Sequence, residues 1–257
     1  MFDSLNGKKI LVAGASGLLG KHLVHTLLQR GVKVVAADID LEALKKYLIE
    51  NGIEINTDSL SLKCIDITNE NAVIELFGEI DKLDGLVNAS YPRNATYGNK
   101  FFEVDLNSFN SNLSLHLGSA FLLMQQCGKY FLGRPNNEFS LVNIASIYGV
   151  VAPNFSVYDG TSMTMPIEYS AIKSAIIHMN KYVTKFICNS KFRVNSVSPG
   201  GILANQNLDF QQRYKAETLG EGLLDVKEVL GAILFLLSDE SKYINGQNLV
   251  VDDGFSI

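Results

Sequence analysis

The sequence predicts an α/β fold: a doubly wound parallel sheet in three α/β/α layers, formed by one domain over residues 1–257. Three observations lead there. Short apolar runs alternate with longer amphipathic segments along the whole chain, as a parallel sheet with crossover helices requires. The short runs are nearly continuous in apolar residues, which marks strands buried on both faces. The first run feeds a glycine-rich turn, Gly14-Ala15-Ser16-Gly17-Leu18-Leu19-Gly20, that opens the first amphipathic segment.

The elements follow in order. A strand at 9–13 leads into a helix over 18–30, and a strand at 32–37 into a helix over 41–50. A strand at 61–64 precedes a helix over 71–79, and a strand at 85–89 precedes a long helix over 108–130. A strand at 141–145, a helix over 168–188, a strand at 193–197, a helix over 226–238 and a strand at 247–251 complete the series. Two stretches, 149–167 and 200–225, carry little regular pattern. Long irregular segments inside a compact α/β domain are characteristic of active-site loops. There is no internal repeat and no Pro/Gly/Ser linker.

Composition narrows the function classes. The chain is 47% hydrophobic with a formal net charge of −5, which argues against a general nucleic-acid surface. The longest apolar run, 229–237, is too short to span a bilayer. Met1-Phe2-Asp3-Ser4 lacks the basic and apolar blocks of a signal peptide, so a cytoplasmic protein is expected. The three cysteines, Cys64, Cys127 and Cys188, are far apart with no metal-ligand spacing. They are expected to be buried thiols rather than a disulfide framework or a metal site.

The glycine turn sits where a dinucleotide-binding turn must sit, after a strand and before a helix. Gly14 permits the tight turn. Gly17 and Gly20 let backbone approach a pyrophosphate and let the helix pack on the sheet, with the phosphates on helix N-terminal amides. Asp38 ends the second strand 24 residues after Gly14. An acid there accepts hydrogen bonds from the adenosine ribose and repels a 2′-phosphate. No Arg or Lys follows directly, so NAD is expected over NADP. Asp40 is the runner-up as ribose reader, although it also fits as a helix cap. Asp66-Ile67 and Asn88-Ala89-Ser90 end the third and fourth strands, where ligands of open α/β sheets bind.

A second constellation carries acid–base chemistry. In Tyr169-Ser170-Ala171-Ile172-Lys173 the phenol and the amine lie one helical turn apart on one face. An ammonium beside a phenol favours the phenolate and lowers a pKa that is ordinarily about 10.

With these segments in hand, the chain resembles the short-chain dehydrogenase/reductase superfamily over essentially its whole length, and the doubly wound sheet is then a Rossmann fold. Residues 14–20, Asp66-Ile67, Asn88-Ala89, Asn143-Ile144-Ala145-Ser146, 169–173, Arg193-Val194-Asn195, Pro199-Gly200 and Tyr243-Ile244-Asn245-Gly246-Gln247 match in order and spacing. The wording of 88–93, 161–173 and 198–205 is similar to oxidoreductases of bacterial flagellin-modification and surface-sugar pathways. The resemblance implies Tyr169 as general acid/base, Lys173 as holder of the nicotinamide ribose, and Ser146 as the donor that orients the substrate oxygen. It implies cofactor contacts from Gly14, Ser16, Gly17, Leu18, Leu19 and Gly20 in the turn. Further contacts fall on Asp38, Asp66, Ile67, Asn88, Ala89 and Ser90, on Tyr169 and Lys173, and on Pro199, Gly200 and Ile202. It also implies a homodimer or homotetramer built through the helices over 108–130 and 168–188.

The chain departs from the family pattern in four places. Its glycine spacing is that of the longer, epimerase-like branch. Ser90 replaces a turn glycine. The helix Asn of the catalytic tetrad is replaced by His116, with Asn112 one turn earlier on the same face; either can anchor a proton-relaying water. Ala204 stands where a Thr usually contacts the nicotinamide amide.

The expected reaction transfers hydride between NAD and a secondary alcohol or ketone, on a sugar or sugar-derived small molecule. Arg93, in the loop after the fourth strand, is a candidate for an anionic substrate group. Tyr148, in the long segment after Ser146, and Arg213, in the expected lid, are weaker candidates. Two other readings stand beside this one: a sugar-nucleotide epimerase or dehydratase that recycles its NAD, and a non-catalytic NAD-binding protein on the same fold.

Overall fold

The structure, a computed structural model, describes residues 3–257. Seven parallel strands form one sheet in the order β3-β2-β1-β4-β5-β6-β7. They are β1 (Lys9–Ala13), β2 (Lys33–Asp38), β3 (Leu60–Cys64), β4 (Gly85–Asn88), β5 (Phe139–Ile144), β6 (Phe192–Pro199) and β7 (Asn248–Val251). The helices are α1 (Leu18–Gln29), α2 (Glu42–Glu50), α3 (Glu70–Glu79), α4 (Leu106–Asn112), α5 (Gly118–Leu132), α6 (Ile167–Ile187), α7 (Leu208–Ala216) and α8 (Val226–Leu237). This is the doubly wound, three-layer Rossmann arrangement that the alternation predicts.

Strand alternation builds the two layers. Ile10, Val12, Val34 and Ala36 face one apolar cluster, closed by Leu23 and Leu27 of α1 and Val229 and Ile233 of α8. Leu11, Ala13, Val35 and Ala37 face the other, closed by Leu123 and Cys127 of α5 and Ile172 and Ile176 of α6. Successive side chains of a strand point to opposite faces, so an unbroken apolar run fills both layers at once. The strand order reverses between β1 and β4. That switch point opens a crevice at the carboxyl ends of the strands.

Three expectations need correction. The helix expected over 108–130 is interrupted. Its first part, α4, starts at an Asp105 cap whose side chain accepts from the Ser108 amide, and a π-helical turn over Leu113–Leu117 separates it from α5. A π turn inserts an extra residue and re-aims the side chains it carries, and such turns recur at functional sites. The stretch 200–225 contains a helix, α7, capped by Asn207 on the Phe210 amide. Its only two buried side chains, Phe210 and Tyr214, are one turn apart, too weak a periodicity to stand out in the sequence. Only Cys127 of the cysteines is buried; Cys64 and Cys188 are exposed. Cys64 ends the edge strand β3, and Cys188 caps α6 in a left-handed conformation, φ 50°. Neither place offers a second layer to cover the thiol. Among the described residues no helix is long and apolar enough to cross a membrane.

Candidate active site

A cleft of about 1430 Å³ runs along the carboxyl ends of the strands, from Asp38 and Asp66 at one end to Tyr148 and Tyr214 at the other. Gly14, Ser16, Gly17, Leu18 and Leu19 line its first part. Gly14 has φ 79°, and a Cβ there would lie 2.7 Å from the Ala89 and Ser90 backbone, so only glycine lets β1 and β4 turn out side by side. A Cβ on Gly20 would lie 2.0 Å from the Gly14 carbonyl oxygen. Gly20 therefore sits beneath the turn rather than in the cleft wall, where it allows α1 to press against β1. Gly17 caps α1 without any side-chain acceptor for the first helical amides. Those free donors at the positive end of a helix fit a pyrophosphate.

The Asp38 carboxylate closes this loop from the side. Its Oδ2 accepts the Ser16 amide at 2.9 Å and its Oδ1 the Asp40 amide at 3.3 Å. The Ser16 hydroxyl donates to the Asp40 carbonyl at 2.5 Å. Asp40 itself accepts from the Glu42 amide at 2.9 Å, the role of a helix cap. Ile67, Ala89 and Ser90 line the middle of the cleft, with Pro199, Gly200 and Ile202 across from them. Asn88 lies behind the lining, where its Oδ1 accepts the Ser90 amide and hydroxyl and its Nδ2 donates to Asn143.

Ser146, Tyr169 and Lys173 converge at the far side, although β5 and α6 bring them from separate parts of the chain. The Ser146 segment is pinned against α6: a Cβ on Gly149 would meet the Lys173 carbonyl carbon at 2.7 Å. The Tyr148 amide donates to Ser146 Oγ at 3.2 Å. Lys173 Nζ donates to the Ile144 carbonyl at 2.7 Å and lies 3.5 Å from His116 Nε2. The π turn thus delivers His116, not Asn112, to the amine. Asn112 instead holds a loop: its Oδ1 accepts the Asn94 amide at 3.0 Å and its Nδ2 donates to Glu168 at 3.3 Å.

Electrostatics differ from the sequence expectation in one respect. Burial pushes the Tyr169 phenol above its ordinary range, and it is a hydrogen bond with Ser146 that draws it back down. Lys173 is too deeply buried to act as a full positive charge: burial lowers its amine to about 7. Burial, then the neighbouring Lys173 and Arg93, drives His116 down to about 2, so its imidazole is neutral.

Tyr91 roofs this centre. Its ring meets Tyr169 at 5.7 Å and His116 at 5.1 Å, both edge-on, and its hydroxyl donates to Tyr97 at 2.6 Å. The Arg93 guanidinium lies 4.8 Å over the same ring, and the residue is exposed where it lines the cleft. Tyr148 lines the cleft, but Arg213 does not. It projects from α7 outside the lining, and its Nε is buried without a partner. Tyr91, Glu168 and Phe255 were not singled out as site residues in the sequence. Tyr91 reaches the site by long-range packing that leaves no periodic trace, while Glu168, beside Tyr169 on α6, holds Asn112, and Phe255 packs behind the lining on Tyr148 and Tyr214.

A glycine-rich turn at an uncapped helix N-terminus and a Ser–Tyr–Lys set share one cleft of a doubly wound sheet. The family described as enoyl-(acyl carrier protein) reductase matches residues 12–256. The chain belongs to the short-chain dehydrogenase/reductase family and is an oxidoreductase that uses a nicotinamide cofactor. Post-translational flagellin modification protein A of Campylobacter coli is 38% identical over 98% of this chain and 100% of its own length. A short-chain dehydrogenase of Leptospira borgpetersenii, solved with bound NAD+, superposes with a TM-score of 0.87 at 28% identity, covering 99% of this chain and 95% of that one. A 4-hydroxyisoleucine dehydrogenase complexed with NADH superposes with a TM-score of 0.82 at 25% identity, covering 97% and 99%.

Proposed function

We propose that the protein is an NAD-dependent oxidoreductase that interconverts a secondary alcohol and a ketone on a sugar or sugar-derived substrate. The convergence of Ser146, Tyr169 and Lys173 in the cleft that also holds the glycine turn carries this reading. The nicotinamide, when bound, supplies or accepts the hydride. Ser146 orients the substrate oxygen, and Tyr169 gives that oxygen a proton in reduction or removes it in oxidation. Lys173 binds the nicotinamide ribose and hands protons between Tyr169 and the His116 side of the site. His116, neutral and within reach of Lys173, holds the relay where the family places an Asn. Tyr91 and Tyr97 exclude bulk water above it.

The preference for NAD rests on Asp38, which lines the cleft at the end of β2 with exposed Ile39, not a cation, beside it. Two similar structures hold NAD+ or NADH. The substrate class is supported by the flagellin-modification relative and by the Tyr and Arg93 side chains that line the cleft. A homodimer or homotetramer is supported by exposed Phe121 on α5 and by exposed Tyr182 and Phe186, which stack at 6.2 Å on α6.

The test is absorbance at 340 nm with NAD or NADP against a panel of polyols, sugar phosphates and nucleotide sugars. NADH should accumulate with a carbohydrate alcohol and NAD. Steady turnover without net NADH would favour an epimerase, and saturable NAD binding without turnover on any of them a binding protein. Arg93→Ala should raise KM far more than it lowers kcat; unchanged kinetics would remove the anionic-substrate role.

A further inference from the structure

Phe210 and Tyr214 of α7 line one end of the cleft, and the C-terminal residues 252–257, distant in sequence, pack behind them. Phe255 stacks on Tyr214 of α7 at 4.5 Å and meets Tyr148 edge-on at 6.2 Å. The Tyr214 hydroxyl accepts the Gly201 amide at 2.6 Å, and Gly201 continues the cleft wall that Pro199 and Gly200 begin. The position of α7 and the shape of that wall are therefore coupled.

One carboxylate ties the turn behind α7 to the tail. Asp253 Oδ2 accepts the backbone amides of Gly220 at 3.0 Å, Glu221 at 2.7 Å and Gly222 at 3.1 Å. The Asp253 carbonyl accepts the Leu219 amide at 2.9 Å. Consecutive amides converging on one oxygen form an anion-binding nest, here filled by the protein's own side chain. Residue 253 has φ 54°, a left-handed conformation that favours glycine and that Asp is among the few side chains to tolerate. The nest accounts for a carboxylate at a position where glycine would be under less strain. Gly254 continues the turn at φ 77°, and a Cβ there would lie 2.6 Å from the Leu219 side chain, so tail and turn interlock. The amide bonds, that from Gly222 foremost, hold the Asp253 carboxyl below its usual range, and it is ionised at neutral pH.

We infer that Asp253 is a positioning residue: its carboxylate latches the turn behind α7 to the C-terminal tail and, through Tyr214, fixes the wall beside the nicotinamide end of the cleft. The second half of this statement rests on the cofactor reading above; the latch itself does not. Asp253→Gly is the informative variant, because glycine keeps the left-handed turn and removes only the carboxylate. Asp253→Asn retains one oxygen acceptor. Hydrogen exchange by mass spectrometry, without cofactor, reads the latch, and calorimetric titration with NAD reads the wall. In Asp253→Gly, exchange over 218–222 should be at least roughly tenfold faster with the sheet unchanged. Its NAD Kd should be about fivefold weaker. Asp253→Asn should fall between the variant and the wild type. Wild-type exchange in Asp253→Gly would overturn the latch, and fast exchange with an unchanged Kd would overturn its coupling to the wall. A wild-type protein that does not bind NAD would instead overturn the cofactor reading, and the exchange rates would still decide the latch.

Discussion

His116 Nε2 lies 3.5 Å from Lys173 Nζ, and its other ring nitrogen, Nδ1, is buried without a partner. A neutral imidazole has one donor and one acceptor nitrogen, so Nε2 can accept from the amine while Nδ1–H remains free for a relaying water. With its pKa driven to about 2, His116 should show no imidazole titration between pH 5 and 8 by NMR. His116→Asn should keep most of the activity, and His116→Ala should lower kcat by about tenfold or more. A normal titration near pH 6.5 would sink this account.

Lys173 makes stability depend on pH in an unusual direction. The amine titrates near 10.5 when unfolded and near 7 when buried. Below pH 7 both states hold the proton, and the cost of burying the charge is complete. Between pH 7 and 10.5 the unfolded chain holds more protons, so stability rises with pH. Lys173→Met removes the buried charge. The cofactor-free variant should be a few kcal/mol more stable than wild type at pH 7, and the gap should close as pH rises to 10. Urea unfolding at a series of pH values measures it; a constant gap would refute the burial effect.

Ser146 and Tyr169 should separate by pH profile. Tyr169→Phe should lower kcat by about 10²–10⁴-fold with NAD binding largely kept. Alcohol oxidation needs the phenolate, so its rate rises with pH through the Tyr169 pKa. Burial raises that pKa and the Ser146 bond lowers it. Ser146→Ala should therefore reduce kcat and move the alkaline rise to higher pH. A shift to lower pH would show that Ser146 does not stabilise the phenolate.

The glycine turn offers a graded stability test. Gly20→Ala places a methyl group 2.0 Å from a backbone oxygen that cannot retreat, and should destabilise by about 2–4 kcal/mol. Gly17→Ala meets the same oxygen at 3.3 Å and should cost less than about 1 kcal/mol. Denaturant midpoints compare the two; equal losses would mean that the tight α1–β1 contact is wrong.

Much of this was legible in the chain because the information is local. The apolar runs at 9–13 and 85–89 announce buried strands, the 14–20 turn announces its own conformation, and Tyr169 and Lys173 share a helix face by spacing alone. The Asp38 carboxylate stands at its strand end for the same reason. What escaped is set at a distance. The choice between Asn112 and His116 depends on a π turn, and α7 shows too few apolar residues to be seen.

The order of elements, the glycine turn and the phenol–amine pair are thus written in residue type and period, since backbone geometry converts spacing of a few residues directly into direction. The state of the site is not written there. Lys173 titrates near 7 rather than near 10.5, Tyr169 is pushed up rather than down, and Asp253 reaches a turn 31 to 33 residues earlier because packing removes water and brings distant groups into contact. Desolvation and long-range contact are properties of the folded whole, and no window of sequence contains them.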